Sequence, residues 1–88
     1  MRMSPDQVNI YKAIDEILWK EWDPIGINDT PQARDEYYMY LPQVYRLKSE
    51  NADMEIIAQY LLNIEVDRMG LPGDIINCRK VANLILSL

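Results

Sequence analysis

The stretch Glu21-Trp22-Asp23-Pro24-Ile25-Gly26-Ile27-Asn28-Asp29 divides the chain and decides how the rest is read. Pro24 lacks a backbone N–H and fixes φ, and Gly26 opens the positive-φ region, so no helix runs through it. Yet it carries Trp22, Ile25 and Ile27, apolar side chains that an exposed connector does not need. The expectation is a loop pinned to the core by those three residues. Asp23, Asn28 and Asp29 are suited to hydrogen-bonding nearby backbone amides, as short polar side chains do in turns and caps. Either the loop is purely structural, or its acidic rim belongs to a partner-binding face.

Helical signals lie on both sides of it. Upstream, Ser4-Pro5-Asp6-Gln7 offers an N-cap serine, proline at the first helical position and a glutamine to close a capping box. Val8, Tyr11, Ile14, Leu18 and Trp22 then recur at three- or four-residue steps, with Ile10 and Ile17 widening the stripe. Lys12, Asp15, Glu16 and Lys20 take the other face, and the helix should end near Trp22 because the residue before proline avoids the helical region.

Downstream, Thr30-Pro31 predicts a second helix carrying Ala33, Tyr37, Tyr38 and Tyr40, broken near Tyr40-Leu41 by Pro42. A short third helix should run from Pro42 to about Ser49. Asp53 should cap a fourth, to about Met69, with Ile56, Ile57, Tyr60, Leu61, Ile64 and Met69 as its buried face and Gly70 closing it. Asp74 should cap a fifth, with Ile75, Cys78, Val81, Ala82, Ile85 and Leu88 apolar and Arg79-Lys80 outside. Strand alternation persists nowhere. The predicted fold is all-α, a compact bundle of four to five short helices forming a single domain over residues 1–88.

Composition narrows the function. Hydrophobic residues at 49% and charged residues at 26% are those of a globular chain. No apolar run approaches the ~20 residues of a membrane span, and the N-terminus lacks the apolar centre of a signal peptide. A cytoplasmic protein is expected, and a single cysteine fits that compartment. The net charge of −5 repels phosphate backbones, so direct nucleic-acid binding is not expected, whereas a basic protein partner suits it.

There is no histidine, which removes the usual general base and the commonest metal ligand. Ser4, Ser49 and Ser87 lie at helix ends with nothing to activate them, and Cys78 sits at a core-facing position. Asp15-Glu16 and Asp35-Glu36 are adjacent, and adjacent helical residues do not face each other. Asp23, Asn28, Asp29 and Glu36 miss the calcium-loop spacing. No enzyme activity, metal or cofactor is expected.

The six tyrosines carry more. Tyr37, Tyr38, Tyr40 and Tyr45 fall within nine residues of each other, beside Asp35 and Glu36, and one helical face cannot bury all four. Tyr38 or Tyr40 should reach the surface, where tyrosine is favoured as a binding anchor. The candidate partner-binding face is Asp23, Asp29, Asp35, Glu36, Tyr38 and Tyr40. A second choice is the acidic fourth helix, with Asp53, Glu55, Glu65 and Asp67.

Taken together, ILWKEWDPIGIND (17–29), ARDEYYMYLPQVYRL (33–47) and IAQYLLNIEVDRMGLPG (57–73) resemble a family of small, acidic, all-helical bacterial proteins. Its shared features are an EWDPIG core, a DEY segment running to a Y-x-P, and a helix ending in MGL. The likeness spans about residues 14–85, and such proteins are similar to immunity proteins of contact-dependent growth inhibition and related polymorphic toxin systems. The resemblance implies an immunity protein that binds and neutralises a cognate basic toxin domain, a nuclease. It carries no catalytic residues with it. The alternative is a cytosolic interaction or regulatory module with no toxin and no enzymatic activity. Trp22, Asp23, Pro24, Gly26, Asp35, Tyr37 and Tyr40, the residues the resemblance shares, suit fold maintenance as well as binding.

Overall fold

The first helix begins where its capping signals place it. In the computed structural model, which describes residues 2–88, α1 spans Pro5–Ile17. The Gln7 amide donates to Ser4 Oγ at 3.2 Å and the Ser4 amide donates to Gln7 Oε1 at 2.7 Å, a complete capping box. The helix then widens over Leu18–Trp22, where the Asp23 amide reaches five residues back to the Leu18 carbonyl at 3.1 Å. Asp23 follows with φ of 30° and ψ of 61°, which turns the chain out of the helix ahead of Pro24.

The second predicted helix is replaced by two single 3₁₀ turns, Pro31–Ala33 and Tyr38–Tyr40, and the Thr30 side chain caps nothing. The physical reason is a period of three. Arg34 is half-buried and Tyr37 and Tyr40 are buried, each three residues after the last. A 3₁₀ winding eclipses residues three apart and keeps this row facing inward, whereas 3.6 residues per turn would rotate it away. The exposed side chains then fall into the two remaining rows, Asp35 with Tyr38 and Glu36 with Met39.

Helix α2 (Leu41–Ser49) accepts Pro42 in its first turn, where no backbone donor is needed. Asp53 caps α3 (Met54–Asn63) through the Ile56 amide at 3.0 Å. The α-helical ladder stops at Asn63 and not near Met69. Residues Ile64–Arg68 form a second wide turn, closed by the Met69 amide donating to the Ile64 carbonyl at 3.0 Å. Asp74 caps α4 (Ile75–Leu86) through the Asn77 amide at 3.0 Å. Gly73 lies between them with φ of +87°, and a Cβ there would stand 2.8 Å from Leu62 Cδ1 and 2.9 Å from Val66 Cγ2.

There are thus four α-helices and no strand among the described residues, so the chain is all-α. The most extensive helix contacts run from α1 to α2, α2 to α3, α3 to α4 and α4 back to α1, with α3 against α4 the largest. They enclose Ile14, Val44, Ile57, Leu61, Val81 and Ile85, each fully buried. The Cα radius of gyration, 12.5 Å, is close to the ~12 Å expected of 88 residues packed compactly.

Three apolar expectations change. Ile25 is 42% exposed, so Trp22 and the partly buried Ile27 pin the loop without it. Ile56 and Leu88 also face outward, Ile56 because Ile57, Ala58 and Leu61 already fill the inner side of α3.

Candidate protein-binding face

Asp23 is the hinge of the loop and is occupied in holding it. Its Oδ1 accepts from the Ile27 amide at 2.8 Å and from the Tyr37 hydroxyl at 2.7 Å, and its Oδ2 from the Asn28 amide at 3.3 Å. The Asn28 side chain returns a bond to the Lys20 carbonyl at 3.3 Å. Burial and the Asp23 carboxylate push the Tyr37 hydroxyl well above the ordinary tyrosine range, which keeps it a donor. Asp23 therefore organises the loop and is not part of a free acidic rim.

Behind the loop lies an aromatic cluster. Trp22 sits 5.2 Å from Tyr37 and, edge-on at 88°, 5.8 Å from Tyr40 by ring centroids, and Trp19 lies 6.2 Å from Tyr37. Edge-to-face and tilted pairs at these separations add about 0.5–1.5 kcal/mol beyond burial alone. Tyr40 is 8% exposed and belongs to this cluster, which removes it from the candidate face.

The polar end of the cluster is Glu65, 2% exposed. Its Oε2 accepts from Trp22 Nε1 at 2.8 Å and from the Cys78 thiol at 3.0 Å, and its Oε1 from the Asp74 amide at 2.9 Å. One carboxylate thus joins both wide turns and the start of α4. Glu65 was expected on an acidic outer face. It is inside because it follows Ile57 and Leu61 at four-residue steps on the core-facing row, and because a buried indole N–H needs an acceptor. Burial, then the bond to Glu65, pushes the Cys78 thiol far above its usual range. A fully buried, protonated thiol is a packing group and a donor, not a nucleophile.

Arg34 fixes the outer segment. Its guanidinium bonds Asp15 through two nitrogens at 2.9 and 3.0 Å and Glu16 at 2.7 Å. It also lies 5.1 Å from the Trp19 ring centroid and 5.8 Å from that of Tyr38. The hydrogen bond to Asp15 is the main cause that drives its pKa further up, and bonds from Arg34 and then Lys20 pull Glu16 below the usual carboxylate range. Arg34 was not singled out from the sequence, and Glu65 was named there only as a surface acid of the fourth helix. The available signal for Arg34 was its position as the lone base between Glu21 and Tyr40.

What remains outside is Asp29, Asp35, Glu36 and Tyr38. All four are exposed, Tyr38 by 47%, and Met39 beside it by 66%. Of the three acids, none is ion-paired among the described residues; Asp29 accepts only a 3.4 Å bond from the Thr30 hydroxyl. Tyr38 forms one wall of a concavity of about 280 Å³ shared with Tyr11, Lys12, Asp15 and Leu41.

Among the described residues no three or more His, Cys, Asp or Glu side chains are grouped to hold a metal, and no helix is long and apolar enough to cross a membrane. No protein-family model, curated protein or solved structure matches the chain.

Proposed function

We propose that this chain is an immunity protein of a contact-dependent growth inhibition or related toxin system, acting in the cytoplasm by binding and blocking a basic toxin domain, a nuclease. It works by occupancy and catalyses nothing. The observation that carries this reading is the inward turn of Arg34. Residues 21–40 hold Glu21, Asp23, Asp29, Asp35 and Glu36 against Arg34 alone, and Arg34 is bonded to Asp15 and Glu16 on α1. The outer rows are left with uncompensated carboxylates around one exposed tyrosine. Such a patch speeds encounter with a cationic active site and takes the place of its phosphate ligands. The EWDPIG, DEY and MGL strings support the same reading.

The test is to express the chain together with the toxin domain encoded beside its gene and measure growth and binding. Growth should be restored by the parent. Asp35→Lys with Glu36→Lys should slow association, most at low salt where screening is weakest, and Tyr38→Ala should speed dissociation, at a cost of about 2 kcal/mol for an anchor residue. Failure of the parent to bind or protect refutes the reading, and unchanged kinetics in both variants refute this face.

A further inference from the structure

A second surface, away from the Arg34 segment, has the form of a peptide site. Between α2 and α3 runs an open trough of about 500 Å³. On α3, Glu55, Gln59 and Asn63 recur every four residues as a polar row, and Ile56 and Tyr60 recur beside them as an apolar row. Gln43 and Leu47, also four apart, are the α2 wall. Ile56, in the first turn of α3, is 51% exposed here while the inner side of that helix is full.

The lining selects one kind of occupant. Gln43, Gln59 and Asn63 each bring a donor and an acceptor, the pairing that a peptide backbone presents along its length. Ile56, Leu47 and Tyr60 offer an apolar seat for one side chain. The trough has no basic residue, and its charged members are Asp53 and Glu55. Asp53 is exposed and its Oδ1 accepts from the Ile56 amide, and Glu55 is held by Arg79 at 2.6 Å in an exposed pair that an incoming cation can exchange with. From Glu55 to Asn63 the helix rises about 12 Å at ~1.5 Å per residue. That matches about four residues of extended chain at ~3.3 Å each.

We infer that the α2–α3 trough binds a short extended peptide segment of a partner protein, with an apolar residue seated against Ile56 and Tyr60 and an adjacent lysine or arginine at Asp53 and Glu55. The site is separate from the face around Tyr38 and does not need the partner to be a toxin.

A random nonapeptide display library panned against the full chain tests it, followed by fluorescence polarisation of a synthetic enriched peptide. Enrichment of sequences with an apolar residue next to lysine or arginine is expected. Binding should fall at least tenfold in Ile56→Lys and in the Gln59→Ala, Asn63→Ala pair, both checked as folded by circular dichroism. It should be unchanged in Asp35→Lys. Four results overturn the inference: no enrichment; enrichment of acidic or purely apolar sequences; binding indifferent to the trough variants; or a parent that sediments as a dimer and becomes monomeric in Ile56→Lys, which would assign the trough to a second copy of the chain.

Discussion

Replacing Glu65 with glutamine tests whether the buried carboxylate ties the two wide turns together. The side chain keeps its size and loses one acceptor. With its oxygen toward Trp22 and Cys78, its amide nitrogen meets the Asp74 N–H, donor against donor, where Oε1 now accepts at 2.9 Å. An unsatisfied buried donor costs about 1–3 kcal/mol, and each remaining bond weakens by about 1 kcal/mol when its acceptor loses charge. The cheaper burial of a neutral group offsets part of this. The net expectation is a loss of about 2–4 kcal/mol, against a total of roughly 4–13 kcal/mol for a chain of this length. At about 4–8 °C per kcal/mol the melting temperature should fall by roughly 8–32 °C. Circular dichroism with heat and urea reads this directly, with the exposed Asp67→Asn on the same turn as the control for loss of charge alone. If Glu65→Gln melts within about 3 °C of the parent, the carboxylate is not what holds the turns, and the three bonds to it contribute nothing net.

Two further outcomes follow from the same contacts. Burial and Glu65 raise the folded Cys78 thiol, while the unfolded thiol ionises near the ordinary ~8.5; stability should be whole below about pH 8.5 and decline as pH climbs above it, with Tyr37 adding to the loss above ~10, and Cys78→Val should flatten the first part of that decline in urea midpoints measured from pH 6 to 10.5. Arg34→Lys keeps the charge but loses the two-nitrogen grip on Asp15 and the stacking on Trp19, so thermal melts should show a loss of about 1 kcal/mol, and an unchanged melt would mean that the clamp adds no stability.

What was legible in the sequence was whatever depends on local chemistry. The Ser4-Gln7 box, the Asp53 and Asp74 caps and the stop ahead of Pro24 each involve residues within a few positions of one another, and each is where the residue types put it. The buried residues of α4 follow from spacing alone. The segment after Thr30 was misread because its anchors are distant: Arg34 is fixed by Asp15 and Glu16, nineteen and eighteen residues away, and Tyr37 by Asp23, fourteen away. A proline after a threonine signals a helix start equally well for 3₁₀ and α winding, and only the tertiary contacts decide between them.

The same distinction explains why the candidate face had to be redrawn. Reading Asp23 and Glu65 as surface acids treated charge as a property of the residue, whereas exposure is a property of the row on which it falls. Glu65 follows Ile57 and Leu61 on the core row, and Trp22, forty-three residues away, supplies the donor that makes its burial tolerable. Asp23 meets Tyr37 because the loop folds back over the cluster, so its carboxylate is consumed inside the fold. Once these two and Tyr40 are assigned to the interior, the acids left on the Tyr38 segment are those on the rows that Arg34, Tyr37 and Tyr40 do not use. The period-three row that buries the aromatics is therefore also what sorts Asp35 and Glu36 outward, and the residues that maintain the fold determine which residues remain free to bind.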